Sequence, residues 1–114
     1  MKKTERHCFS CDLKDNPELI EEYKKYHTEG NVWPEVVKSI EDAGIVDLQI
    51  FLTGNRMFMI MDVDETFDPE KKAKMDAANP KVQEWEDLMW NYQQALPWAE
   101  KGQKWIPMGK VFQL

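Results

Sequence analysis

The sequence predicts an α+β fold built around one antiparallel sheet. Three observations carry that expectation. Residues 6–13 and 45–52 largely alternate apolar and polar side chains, the period of a strand; residues 56–63 follow a turn signal as the second strand of a hairpin; and Trp105 to Leu114, centred on Val111-Phe112, supplies a last strand. The stretches between them carry apolar residues at helical spacing, so the elements run β, α(α), β, β, αα, β. That order is the ferredoxin-like plan of two β-α-β halves, with four antiparallel strands in one sheet and helices on one face.

Each element has a local reason. Arg6 to Leu13 is the first strand, with His7, Phe9, Cys11 and Leu13 on one face. Asn16 caps a helix whose first turn holds Pro17; Leu19, Tyr23 and His27 form its stripe, and it runs to about Thr28. Glu29-Gly30-Asn31 breaks it. Trp33-Pro34-Glu35 opens a second helix through Ala43, with Val36, Val37 and Ile40 apolar and Gly44 as its stop. In the strand from Ile45 to Leu52, simple alternation puts Val46, Leu48, Ile50 and Leu52 on one face and Ile45, Asp47, Gln49 and Phe51 on the other. Thr53-Gly54-Asn55 turns the chain into Arg56 to Val63, completing a hairpin. After an acidic loop, Pro69 to Ala78 is helical. Asn79-Pro80 restarts the helix, and Lys81 to Gln94 carries Val82, Trp85, Leu88, Met89 and Tyr92 on its stripe. Leu96 to Gln103 is a loop.

The second face of such a sheet is also rich in apolar residues. A patch of that kind marks an interface. The simplest cover is a second copy related by a twofold axis, so the expected assembly is a homodimeric α+β barrel.

With 114 residues, the chain suits one domain over 1–114. Hydrophobic residues make up 42%, enough for a core without disulfide or metal staples. The net charge of −6 argues against a nucleic-acid partner, which needs a basic face. No apolar run approaches the ~20 residues that cross a bilayer, and no apolar segment follows the basic N-terminus to make a signal peptide. The expected location is the cytoplasm. Cys8 and Cys11 have the spacing of a redox or metal motif. On a strand, however, residues three apart point to opposite faces, and no second Cys pair completes a zinc site. A structural role is expected for both thiols.

Two histidines are present, His7 and His27. His27 lies one helical turn after Tyr23, so a phenol and an imidazole share one spot on the helix surface. The Gly30 break turns Trp33 back over the same spot. An imidazole gives and takes protons near neutral pH, a phenol orients or relays one, and an indole offers a flat wall to the C–H face of a sugar. Tyrosine and histidine on an amphipathic helix are also common packing residues, and spacing alone leaves both readings open.

The residues then show a resemblance. Glu21-Glu22-Tyr23, His27 and Trp33-Pro34-Glu35 resemble the signature of the L-rhamnose mutarotase family, in which Glu-Glu-Tyr-x-x-x-His and Trp-Pro-Glu occupy the first helix and the start of the next. The likeness continues through Ile50-Phe51-Leu52, Arg56-Met57-Phe58, Trp85 with Met89, and Lys110-Val111-Phe112. It implies a small dimeric barrel that interconverts the α and β anomers of a 6-deoxy-hexose without metal or cofactor. His27 matches the family's proton donor, Tyr23 a substrate-binding tyrosine, and Trp85 the first of a substrate-binding tryptophan pair. Trp33 is expected as a pocket wall.

Three departures stand out. Glu86 occupies the place of the second tryptophan, Leu48 that of a further substrate tyrosine, and two extra residues separate His27 from Trp33 relative to the family pattern. They shift the expected sugar from L-rhamnose toward a relative such as L-fucose. The competing expectation is a non-catalytic dimeric barrel that binds a small sugar.

Overall fold

A computed structural model describes residues 3–114. The elements are β1 (Glu5–Leu13), α1 (Pro17–Tyr26), α2 (Pro34–Asp42), β2 (Ile45–Thr53), β3 (Arg56–Val63), α3 (Pro69–Ala77), α4 (Pro80–Met89), β4 (Gln93–Gln94) and β5 (Ile106–Pro107). The sheet order is β2-β3-β1-β4, with β5 also on β1, and the recorded strand pairs are antiparallel. This is the strand order of the expected α+β, ferredoxin-like plan.

Helix starts follow the sequence closely. The side-chain oxygens of Asn16, Asp68 and Asn79 each accept from two backbone N–H groups of the turn that follows, and a proline stands in the first turn of α1, α3 and α4. Gly44 ends the α2 connection at φ +91°, and an added Cβ there would lie 2.6 Å from both Asp64 Oδ1 and Thr66 Oγ1. Only glycine meets both demands.

Four expectations need correction. First, β2 does not alternate simply. A bulge between Ile45 and Asp47 puts Ile45 opposite Val63 in the buried layer and leaves Val46 53% exposed. Second, α1 stops at Tyr26, so His27 is its cap rather than part of its last turn. Third, α4 stops at Met89. Asn91 and Tyr92 form turns back to Leu88 and Met89, which frees Gln93 and Gln94 to pair with Leu13 and Asp12 at the sheet edge. Fourth, the last strand is only Ile106–Pro107. Pro107 offers no N–H to a ladder. After Met108 N–H reaches the Cys8 carbonyl, the chain leaves the sheet, and Val111 and Phe112 stand 99% and 75% exposed. The fourth strand is therefore two short pieces, β4 and β5, laid along β1.

The core lies between the helices and one face of the sheet. Cys11, Leu13 and Met57 are fully buried there, beside Tyr23, Val36, Trp85, Met89 and Tyr92. A second cluster joins Ala43, Ile45, Met61 and Val63. Cys8 faces Ile60 and Cys11 faces Met57, so the two thiols lie on opposite sides of the sheet. Burial pushes the Cys11 thiol up to about 11. The other face carries the bidentate pairs Arg6–Asp62 and Arg56–Asp12, with Arg56 under the Trp98 ring, and apolar Phe51, Phe58 and Ile60. Among the described residues no helix is long and apolar enough to cross a membrane.

Candidate active site

Ending α1 at Tyr26 decides how His27 is held. As the cap residue it takes φ −100° and ψ 2°, and its backbone N–H returns to the Lys24 carbonyl. Its ring Nδ1 lies 2.8 Å from the Tyr23 carbonyl oxygen. A carbonyl only accepts, so Nδ1 carries the hydrogen. In the neutral ring Nε2 is then left with its lone pair. Burial disfavours the imidazolium and holds the ring's pKa below its ordinary 6.5, although the carbonyl bond pulls the other way.

Tyr23 lies under this ring. The two rings stack at 4.0 Å and 27°. The Tyr23 side chain is buried, and its hydroxyl oxygen accepts from Gln93 Nε2 at 3.4 Å. Burial pushes the phenol well above its usual range. The hydroxyl therefore keeps its hydrogen across the physiological range. The pair offers a neutral nitrogen lone pair beside a hydroxyl donor.

Aromatic rings wall the pair. Trp85 meets His27 edge-on at 5.5 Å, and Trp33 meets Trp85 at 5.2 Å. Trp33 reaches this position because the chain turns back after α1: Gly30 adopts φ +84°, Asn31 N–H bonds to Thr28 O, and Asn31 Nδ2 bonds to Lys25 O. Tyr26 adds contacts to Trp85 at 6.1 Å and to Tyr92 at 5.7 Å. An open hollow of about 480 Å³ lies beside this cluster, lined by Glu22, Lys25, Tyr26, Asn31, Trp33 and Tyr92; of the predicted site residues, Trp33 lines it, while Tyr23, His27 and Trp85 stand behind. That volume suits a small polar ligand.

The structure thus brings Tyr23, His27, Trp33 and Trp85 into one cluster. Glu86 turns elsewhere: its carboxylate meets Gln83 Nε2 at 3.4 Å, and its carbonyl takes a hydrogen bond from Lys104. Tyr92 and Gln93 join the cluster without a local sequence signal, because the helical stripe of α4 absorbs both in a reading by periodicity. The strand pairing of Gln93 with Leu13 is what carries them in.

Fold and cluster define a small α+β protein that sets an imidazole and a phenol side by side between aromatic walls. A model of the L-rhamnose mutarotase family matches residues 6–114. The chain is 46% identical over 110 residues to an L-fucose mutarotase of Xanthomonas campestris pv. campestris, covering 96% of this chain and 88% of that one. It is 30% identical over 109 residues to an L-rhamnose mutarotase of Phocaeicola vulgatus, covering 96% and 97%. The crystal structure of an L-rhamnose mutarotase from Formosa agariphila superposes with a TM-score of 0.70 at 26% identity, covering 96% of this chain and 98% of that one. This chain belongs to the L-rhamnose mutarotase family.

Proposed function

We propose that this protein catalyses mutarotation of a 6-deoxy-hexose, with L-fucose preferred over L-rhamnose. The observation that carries the mechanism is the His27 tautomer. With Nδ1–H committed to the Tyr23 carbonyl, Nε2 is the atom free to move a proton. It takes the proton of the anomeric hydroxyl as C1 becomes a carbonyl and the bond from C1 to the ring oxygen breaks. The imidazolium returns that proton to the ring oxygen. The open aldehyde rotates about C1–C2 and closes on the other face by the reverse path. One imidazole thus acts as acceptor first and donor second, and no net proton is lost. Tyr23 donates a hydrogen bond from its un-ionised hydroxyl and orients the sugar oxygens. Trp33 and Trp85 serve as walls for the ring's C–H face. Glu86, which replaces the second tryptophan of the family pattern, turns its carboxylate to Gln83 and has no sugar contact in this reading. Support for L-fucose comes from the 46% identical relative of that name and from the Leu48 and Glu86 departures. The test is an anomer-exchange screen with L-fucose, L-rhamnose and D-glucose, read as line broadening of the anomeric protons. Exchange strongest with L-fucose is expected. Binding with no exchange of any sugar would favour the non-catalytic reading.

The working unit we propose is a homodimer. Phe51 is 53% exposed on the helix-free face of the sheet, beside half-buried Phe58 and Ile60. The segment after Met108 also holds Val111, Phe112 and Leu114 in the open. The radius of gyration is 14.5 Å, against about 13 Å for a compact chain of this length. A second copy laid face to face covers both surfaces at once. Two free cysteines suit the reducing cytoplasm, where we place the enzyme.

A further inference from the structure

Gln93 is 4% exposed, yet it uses only half of its amide. Its Nε2 donates to the Tyr23 hydroxyl oxygen at 3.4 Å, while its Oε1 is buried with no hydrogen-bond partner among the described residues. A buried carbonyl without a partner weakens a fold, and an apolar side chain of the same length would fill the space without that cost. Packing therefore does not explain a glutamine here. Its one polar contact does.

A phenol oxygen has lone pairs to accept with and one hydrogen to give. When Gln93 occupies the accepting side, the Tyr23 hydrogen is directed to another acceptor. In a mutarotation that acceptor is a sugar oxygen, whose negative charge grows as the ring bond breaks. We propose that Gln93 is a positioning residue that holds the Tyr23 hydroxyl as a donor toward the sugar. The proposal rests on the mutarotase reading and adds to it a residue on β4 that touches the reaction only through Tyr23. Its effect falls on the transition state, where the sugar oxygen is most basic, and so on kcat rather than KM.

Two variants of the full chain test this. Gln93→Met keeps the length and removes the donor. Gln93→Glu, compared with wild type at about pH 9 so that the buried carboxyl is ionised, supplies a carboxylate that only accepts and pulls the Tyr23 hydrogen away from the sugar. Both are followed by thermal melting, by kcat and KM for anomer exchange, and by the ¹³Cζ resonance of Tyr23, assigned by its absence in Tyr23→Phe. Gln93→Met is expected to melt at or above the wild-type temperature, to lose about tenfold in kcat with little change in KM, and to move the Tyr23 resonance. Gln93→Glu is expected to lose at least as much. The proposal is overturned if Gln93→Met unfolds or loses stability in step with rate, if kcat is unchanged, or if Gln93→Glu keeps the wild-type rate. That last result would mean the amide accepts from Tyr23 rather than donating to it. Wild-type protein with no exchange would instead remove the mutarotase reading, and the Tyr23 resonance would still decide whether Gln93 donates to it.

Discussion

The His27 imidazole is bonded through Nδ1 to the backbone carbonyl of Tyr23, and it stacks on the side chain of that same residue. One residue thus fixes both the tautomer and the ring plane of its neighbour one turn on. The other ring nitrogen is left for chemistry, and burial keeps it unprotonated at rest.

The first consequence is a pH dependence. With the neutral imidazole as the proposed working form, exchange should be flat above pH 6.5 and fall only below it, as pH drops through the lowered pKa of the folded state. Stability should move in the same direction. The unfolded chain takes up the His27 proton near its ordinary 6.5, whereas the folded chain does so only at lower pH. In that window the unfolded state binds more protons, so stability falls as pH falls, and it levels off once the folded ring is charged. Melting curves from pH 8 to pH 5 should show this slope, and His27→Asn should flatten it. A wild-type slope of the opposite sign would contradict the burial argument.

Tyr23→Phe keeps the ring stacked on His27 and leaves the backbone carbonyl in place. It removes only the hydroxyl. Exchange should fall about tenfold, less than on loss of the imidazole. Gln93 Nε2 also loses its partner, and stability should drop by about 1–3 kcal/mol. Measurement of both is needed: a full loss of exchange in Tyr23→Phe would mean that the phenol itself transfers the proton.

Gly44→Ala tests how tightly the α2–β2 connection is built. The left-handed backbone costs a side chain about 1–2 kcal/mol even in open space. Here the new Cβ also runs into Asp64 and Thr66 at 2.6 Å. A fall in the melting temperature of roughly 5–10 °C is expected. An unchanged melting temperature would show that the 64–66 loop yields freely.

Light scattering tests the assembly. At micromolar concentration the mass should be twice the 13.5 kDa of the chain. Phe51→Asp on the open sheet face should convert it to a monomer, with a circular dichroism spectrum like that of the wild type. A monomeric wild type would leave the exposed Phe51 face and the segment after Met108 unexplained.

Much of this was legible in the sequence where the cause is local. Asn16-Pro17 and Asn79-Pro80 mark helix starts because the cap oxygen and the fixed proline φ act within one turn. Thr53-Gly54-Asn55 marks the hairpin for the same reason. The spacing of Tyr23 and His27 placed an imidazole and a phenol together. Features decided by distant contacts were not legible. The Val46 bulge answers to the register with β3, and alternation alone does not reveal it. Val111-Phe112 has the composition of a strand, yet the edge of β1 is taken by Ile106–Pro107. Gln93 reads as the tail of a helix until its pairing with Leu13 carries it to Tyr23, 70 positions away in the chain.

The most direct test is saturation-transfer NMR on the anomeric protons of L-fucose, comparing wild type with His27→Asn. The wild type should exchange the two anomers rapidly. The variant, still folded by circular dichroism, should be slower by a factor of about 10² to 10⁴. A folded His27→Asn that exchanges anomers at the wild-type rate would contradict the assignment of the proton to this imidazole.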